Sequence, residues 1–349
     1  MTKKRAVFVD DEAQVLRSLK RGLRQHCGDW DFQFETLPAQ ALESILNDNP
    51  MVVISDRKMH EMDGEALLSE VKHSAPHVVR VLLTGDTSEK AVIASARTAH
   101  ILLAKPFEIS ELSDVLDRAG ALNQLPLNDQ QRSALGQIQN LPVLPKIFHD
   151  LTTYLKVNAN PDISEVVKLI KSDLGITAKL IQVANSSFFG YQSVTHSIEQ
   201  VVMRLGFDLV RQLIALMVLN QGESFQKVLE QSEKITDIMK QRASGLGQSK
   251  ESIERLSLLG LLHGIGRLVP TIEESDKQSD IVGAYLLTLW GFDRDIIDAV
   301  MFQSQPEQQT PISPLTCQLH VAKLLSSDVN LNEISVQVVE CAQLCLGRE

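Results

Sequence analysis

The sequence predicts an α/β domain built on a five-stranded parallel sheet with five helices, followed by an all-α domain. Three observations predict this. Short β-branched apolar runs alternate with amphipathic stretches over about the first 120 residues. The strand signals stop near residue 125. From Leu141 onward only helical periodicity remains, broken by Pro, Gly and Asn.

The elements follow in order. Ala6–Val9 is an apolar strand ending at two aspartates, and Ala13–Arg24 has helical spacing through Val15, Leu16, Leu19 and Leu23. Phe32–Thr36 reads as a strand, Ala39–Leu46 as a helix and Met51–Ser55 as a buried strand. Glu65–Lys72 is helical, Val78–Leu83 a strand, Glu89–Arg97 a helix, Ile101–Leu103 a strand and Ile109–Leu122 a helix. Such alternation implies βα units around a parallel sheet, with ligand chemistry at the carboxyl ends of the strands. Gly120–Asp129 carries Pro126 and reads as a linker, continued by a helix over Gln130–Asn140. The expected helices beyond are Leu144–Leu155, Ile163–Lys171, Ile176–Ala184, Ile198–Leu205, Leu209–Asn220, Glu223–Arg242, Ser252–His263, Asp280–Trp290, Arg294–Phe302, Pro314–Ser326 and Glu333–Leu346. The expected division is therefore residues 1–124, a linker over 125–140, and a helical region over 141–349.

Composition narrows the function. The chain has 349 residues, 44% of them hydrophobic and 22% charged, which suits folded domains with sizeable cores. The formal net charge is −10, with 15 basic and 19 acidic residues in 1–124 against 19 and 25 in 125–349. Neither part carries the basic field that broad binding to nucleic acid or an anionic membrane requires. Cys27, Cys317, Cys341 and Cys345 are too few and scattered for a disulfide framework and are expected as buried free thiols. The start MTKKRAVFVDDE lacks a signal-peptide apolar run, and no stretch approaches 18 uninterrupted apolar residues. A cytoplasmic protein is expected.

Candidate chemistry gathers at the predicted strand ends. Asp10 and Asp11 close the first strand, Asp56 the third and Thr84 the fourth, while Lys105 follows the fifth ahead of Pro106. Singly, each reads as a turn former or a cap. Together, on one side of a parallel sheet, three carboxylates repel and call for a hard divalent cation such as Mg²⁺. A Lys and a Thr hydroxyl supply donors to a phosphoryl group. The set points to phosphoryl transfer onto a carboxylate nucleophile.

Residues 4–122 resemble the receiver domain of two-component response regulators. The resemblance rests on Phe8-Val9-Asp10-Asp11-Glu12, Ser55 to Gly64, Leu83-Thr84-Gly85 and Lys105-Pro106-Phe107. It implies a flavodoxin-like fold in which Asp56 accepts a phosphoryl group from a histidine kinase. It also implies that Asp10, Asp11, Asp56 and the main-chain carbonyl of Lys58 hold Mg²⁺, while Thr84 and Lys105 bind the phosphoryl group. Two departures stand out: His60 lies where the family usually has proline, and Leu102 where many receivers carry a switching aromatic residue.

The helical region has its own motifs. Leu141-Pro142-Val143-Leu144-Pro145, Asp173 to Leu180, Ala184 to Gly190, Arg204-Leu205-Gly206, Gly260 to Gly266 and Val282 to Phe292 together resemble the HDOD domain, a relative of the HD metal-dependent phosphohydrolases. The resemblance covers about residues 135–330. HD enzymes need a His-Asp pair, yet the matching element reads His263-Gly264, and Met301 to Gln305 supplies no histidine. His149, His196, His263 and His320 lack an acidic partner pattern, so a non-catalytic output domain is expected. Phe188, Phe189 and Trp290 are expected core anchors, and Met203, Met217 and Met239 core filling.

The leading expectation is a phosphorylation-controlled signalling protein whose helical domain regulates a partner protein, by family analogy an enzyme of cyclic-dinucleotide turnover. Pairing with a second copy of the chain stays open. One alternative is a metal-dependent phosphohydrolase. Another is a DNA-binding regulator using Val166–Ser186 as a helix-turn-helix, although its second helix holds one cation and is mostly apolar.

Overall fold

The computed structural model describes residues 4–86, 98–138, 150–185 except 152, 156 and 159, 194–217, 225–269 and 275–327. The chain divides into two compact units: Met1–Gln139 with Asn185–Val194, and Asn140–Ala184 with Thr195–Glu349.

The first unit holds five parallel strands: β1 (Lys4–Val9), β2 (Trp30–Glu35), β3 (Val52–Asp56), β4 (Val79–Thr84) and β5 (Ile101–Ala104), in the order β2-β1-β3-β4-β5. Every residue of β3 and β4 is buried, as expected for strands covered on both faces. The register pairs Val9 with Ser55, Asp56 with Leu83 and Thr84 with Ala104, so the strands end together at one edge. The order reverses between β1 and β3, where ligands of such sheets bind. Helices α1 (Ala13–His26), α2 (Pro38–Asp48), α3 (Gly64–Ser74) and α4 (Ile109–Gln124) flank the sheet. The helix expected at 89–97 lies outside the described residues. On one face Val7, Val9 and Val53 pack with Ile45, Leu67, Leu68 and Val71, and Leu102 lies partly buried against them.

β2 begins at Trp30, two residues before the expected start at Phe32. Trp30 and Phe32 stack with centroids 6.4 Å apart, and Phe34 stacks on Phe8 at 5.2 Å. This aromatic ladder has the two-residue period of a strand face.

The helix expected as a linker forms as α5 (Asp129–Gln137) and packs within the first unit. Asn128 caps it by accepting from Gln131 N at 2.8 Å. Arg132 donates to the carbonyls of Leu122, Asn123 and Leu125, tying α5 to the end of α4.

In the second unit every described element is helical: α6 (Ile163–Lys171), α7 (Leu174–Ala184), α8 (Ile198–Met217), α9 (Phe225–Gly245), α10 (Lys250–Leu262), α11 (Asp276–Leu289), α12 (Arg294–Phe302) and α13 (Pro314–Ser326), with two short 3-10 turns. α8 joins two expected helices through Gly206, which breaks the helical path at φ 75°. α7, the expected recognition helix of the DNA-binding alternative, has ten of its eleven residues buried. It is a core element, which gives a duplex groove nothing to meet. Trp290 and Met239 are buried as expected. Met203 is not core filling, because it is 63% exposed on the face of α8 opposite Val201, Val202 and Leu205. Met217, Phe188, Phe189 and His149 lie outside the described side chains. Cys27 is a buried free thiol, but Cys317 is disulfide-bonded, against the expectation of a free thiol. Among the described residues, no helix is long and apolar enough to cross a membrane.

Candidate functional site

The aligned strand ends bring Asp10, Asp56, Thr84 and Lys105 together. Lys105 Nζ lies 2.5 Å from Asp56 Oδ1 and 3.4 Å from Asp10 Oδ2. The other oxygens of the two carboxylates accept from the main chain: Asp56 Oδ2 from Lys58 N at 2.7 Å, and Asp10 Oδ1 from Glu12 N at 2.9 Å. Burial, reinforced by the Asp56 charge, raises the Asp10 pKa above the ordinary carboxylate value. Burial pulls the Lys105 ammonium down, but the Asp56 and Asp10 carboxylates outweigh it and its pKa is raised.

Thr84 closes β4 with its hydroxyl turned to the next loop, where Asp86 N donates to Thr84 Oγ1 at 3.1 Å. Arg57 holds that loop, with Nε 2.9 Å from Glu65 Oε1 and Nη1 2.9 Å from Asp86 Oδ2. No sequence motif flagged this clamp. The Asp-Gly at the start of α3 has a local cause: Asp63 caps the helix by accepting from Ala66 N at 2.7 Å, while Gly64 runs against the Asp56 main chain.

Asp11 is engaged by the loop that follows Asp56. Its Oδ2 accepts from His60 N at 3.0 Å and also meets the His60 ring at Nδ1. The His60 bond pulls the Asp11 carboxyl below its ordinary pKa. Among the described residues, no group of three or more His, Cys, Asp or Glu side chains stands ready to hold a metal. The donors nevertheless suit Mg²⁺, which needs only one or two carboxylates beside waters. Asp10 and Asp56 are oxygen donors already sharing one cation, the Lys105 ammonium.

The second unit places its HD-like element in the core. His263 is 3% exposed, and burial pushes its pKa down to about 3, so the ring is neutral. Its Nδ1–H donates to Gly260 O at 2.8 Å, and its carbonyl accepts from Gln303 Nε2 at 2.9 Å. Gly264 follows without a side chain. Asp280 is also buried, its pKa pushed up to about 6 by burial against the pull of Lys323. His320 Nδ1 donates to Gln303 O at 2.6 Å. His196 does have an acidic partner, which its sequence neighbours did not show: Nε2 lies 2.9 Å from Asp293 Oδ2.

Comparison with known proteins matches both halves. Residues 6–117 match the response regulator receiver domain, and residues 141–281 match the HDOD domain. The chain joins a receiver domain to an HDOD domain. Among curated proteins, the DNA-binding transcriptional regulator NtrC of Escherichia coli K12 is 34% identical over 112 residues, which are 32% of this chain and 24% of that protein. The chain thus spans about a quarter of the length of the curated relatives it matches. Among solved structures, the signal receiver domain of an HD domain-containing protein from Pseudomonas fluorescens Pf-5 is 27% identical, covering 34% of this chain and 95% of that one at a TM-score of 0.32. The MmoQ response regulator of Methylococcus capsulatus is 17% identical, covering 59% and 93% at a TM-score of 0.46.

Proposed function

We propose that this receiver–HDOD protein is a response regulator in which Asp56 accepts a phosphoryl group from a histidine kinase and the HDOD domain acts on a partner protein without catalysis of its own. The observation that carries the reading is Lys105 seated between Asp56 and Asp10 at the carboxyl ends of β5, β3 and β1.

A carboxylate oxygen of Asp56 attacks the phosphorus of a phosphohistidine. The new P–O bond forms as the P–N bond breaks, and the imidazole leaves and takes up a proton. Asp10, Asp11, Asp56 and the Lys58 carbonyl would hold Mg²⁺, whose role is to neutralise charge on the phosphoryl oxygens. For Asp11 this requires leaving His60. Lys105 is positioned to pair with a phosphoryl oxygen, and Thr84 to donate to another once its hydroxyl turns from Asp86.

The neutral, packed His263 and the bare Gly264 support a non-catalytic HDOD domain. The partner is a protein, and an enzyme of cyclic-dinucleotide turnover fits the domain's family by analogy alone.

Incubation with acetyl phosphate and Mg²⁺ is expected to give an acid-labile, base-sensitive phosphoryl label on the wild type and none on Asp56→Asn. Equal labelling of both would refute the assignment. Lys105→Ala tests the electrostatics separately. Without the ammonium, Asp10 and Asp56 repel, so the variant is expected to lose about 1–2 kcal/mol in metal-free buffer. It is also expected to bind Mg²⁺ more tightly than the wild type, read by titrating Trp30 fluorescence in a Trp290→Phe background. Weaker Mg²⁺ binding would contradict this account.

A further inference from the structure

Among the described residues Arg80 is the largest fully buried side chain, 1% exposed near the start of the apolar strand β4. A guanidinium there must place its N–H donors or the strand is destabilised. Nε donates to Thr98 O at 2.8 Å, and Nη1 to Pro76 O at 3.1 Å and Val78 O at 3.3 Å. Nη2 donates to Gly136 O at 2.9 Å and lies 2.7 Å from His100 Nε2. His100 Nε2 is itself 3.3 Å from Gly136 O.

These partners lie at the amino-terminal ends of β4 and β5, opposite the Asp56 site. Gly136 O belongs to the last turn of α5, where helix carbonyls lack intrahelical donors and carry partial negative charge. Arg80 thus caps α5 from inside the receiver. The contact is close: a Cβ on Gly136 would sit 1.7 Å from Pro76 O. Leu135 beside it is fully buried. His77 feels the charges of Asp129 and Arg132, both on α5. Thr84 lies four residues from Arg80 along β4, and Lys105 follows the strand that His100 precedes. α5 is also the last described element before the chain enters the helical unit at Asn140.

We propose that Arg80 and Gly136 form an anchor that binds the linker helix α5 to the base of β4 and β5, and that the state of Asp56 reaches the HDOD domain through this anchor. The second half rests on the phosphorylation reading given above. The anchor makes α5 a part of the receiver that moves with its strands, and the chain beyond Gln137 inherits that motion.

The test is hydrogen–deuterium exchange on the full-length protein, wild type, Arg80→Met and Gly136→Ala, with and without acetyl phosphate and Mg²⁺. Gly136→Ala acts from the helix side and leaves the sheet core intact, so it stays informative if Arg80→Met fails to fold. The amides of residues 132–137 are expected to exchange about tenfold faster or more in the variant. Its label on Asp56 should stay within about twofold of the wild type, because the change is remote from that site. Phosphorylation is expected to alter exchange within residues 163–326 of the wild type and not of Gly136→Ala. Wild-type protection of α5 in Gly136→Ala would overturn the anchor. A phosphorylation response in 163–326 that survives in Gly136→Ala, or is missing from a labelled wild type, would overturn the coupling. A wild type that takes no label defeats the reading of Asp56 and with it the coupling, while the anchor still stands or falls on the exchange of α5.

Discussion

Lys179→Met is expected to stabilise the HDOD domain by about 1–3 kcal/mol at neutral pH. Lys179 is 8% exposed in the middle of α7, between Ala178 and Leu180, which are fully buried. Burial pulls its pKa from 10.5 down to about 8. A drop of about 2.5 units corresponds to about 3 kcal/mol of preference for the neutral amine, which sets the upper bound. The sign follows from proton counting. Between pH 8 and 10.5 the unfolded chain binds a proton at Lys179 that the folded chain does not, so stability rises with pH across that window. Below pH 8 the full cost of burying the ammonium is present. Met keeps the unbranched stem at similar volume and removes the charge. The two tryptophans make the measurement clean, because Trp30 lies in the receiver and Trp290 in the helical unit. Urea unfolding followed by Trp290 in a Trp30→Phe background should show the gain at pH 7, shrinking towards pH 10.5. A Met variant less stable than its parent at pH 7 would mean that the Lys179 ammonium is compensated in the fold.

Legibility in the sequence followed the range of the forces involved. Asp10, Asp56, Thr84 and Lys105 could be placed because each ends an apolar run and parallel strands end together. The helices Ile163–Lys171 and Pro314–Ser326 form over the expected spans, since their caps are local: Asp162 and Ser313 accept from their first turns. Features set by distant partners were not legible. The turn of Asp11 toward His60 depends on a loop 49 residues away, and the His196–Asp293 pair spans nearly half of the helical unit. Met203 failed as a core position because apolar type was read without helical phase; its neighbours Val201, Val202 and Leu205 define the buried face. Arg80 was visible as a cation inside the run Val78–Leu83, and that mismatch was the one local sign of the α5 anchor.

Gly64→Ala is expected to cost the receiver about 3 kcal/mol or more and to impair phosphorylation of whatever folded protein remains. A Cβ at Gly64 would meet Asp56 O at 2.1 Å, Leu82 Cδ1 at 2.8 Å and the Asp56 carbonyl carbon at 3.0 Å. The leucine methyl can shift, but the Asp56 carbonyl cannot, because it ends β3 and its oxygen accepts from Ser55 Oγ at 2.8 Å. The glycine is pinned from its own side as well, its N–H donating to Arg57 O at 2.9 Å. An added methyl must therefore either lift α3 off the sheet or push the Asp56 main chain toward the site. Both outcomes disturb the Asp56 carboxylate, whose Oδ2 accepts from Lys58 N and whose Oδ1 faces Lys105. Gly28→Ala is the matched control: a Cβ there meets nothing within 4 Å, and a change within about 0.5 kcal/mol is expected. Urea unfolding followed by Trp30 measures the stability, and acetyl phosphate labelling per folded molecule measures the site. Equal unfolding midpoints for Gly64→Ala and Gly28→Ala would show that α3 can yield, and the close approach would then play no part in holding Asp56 in place.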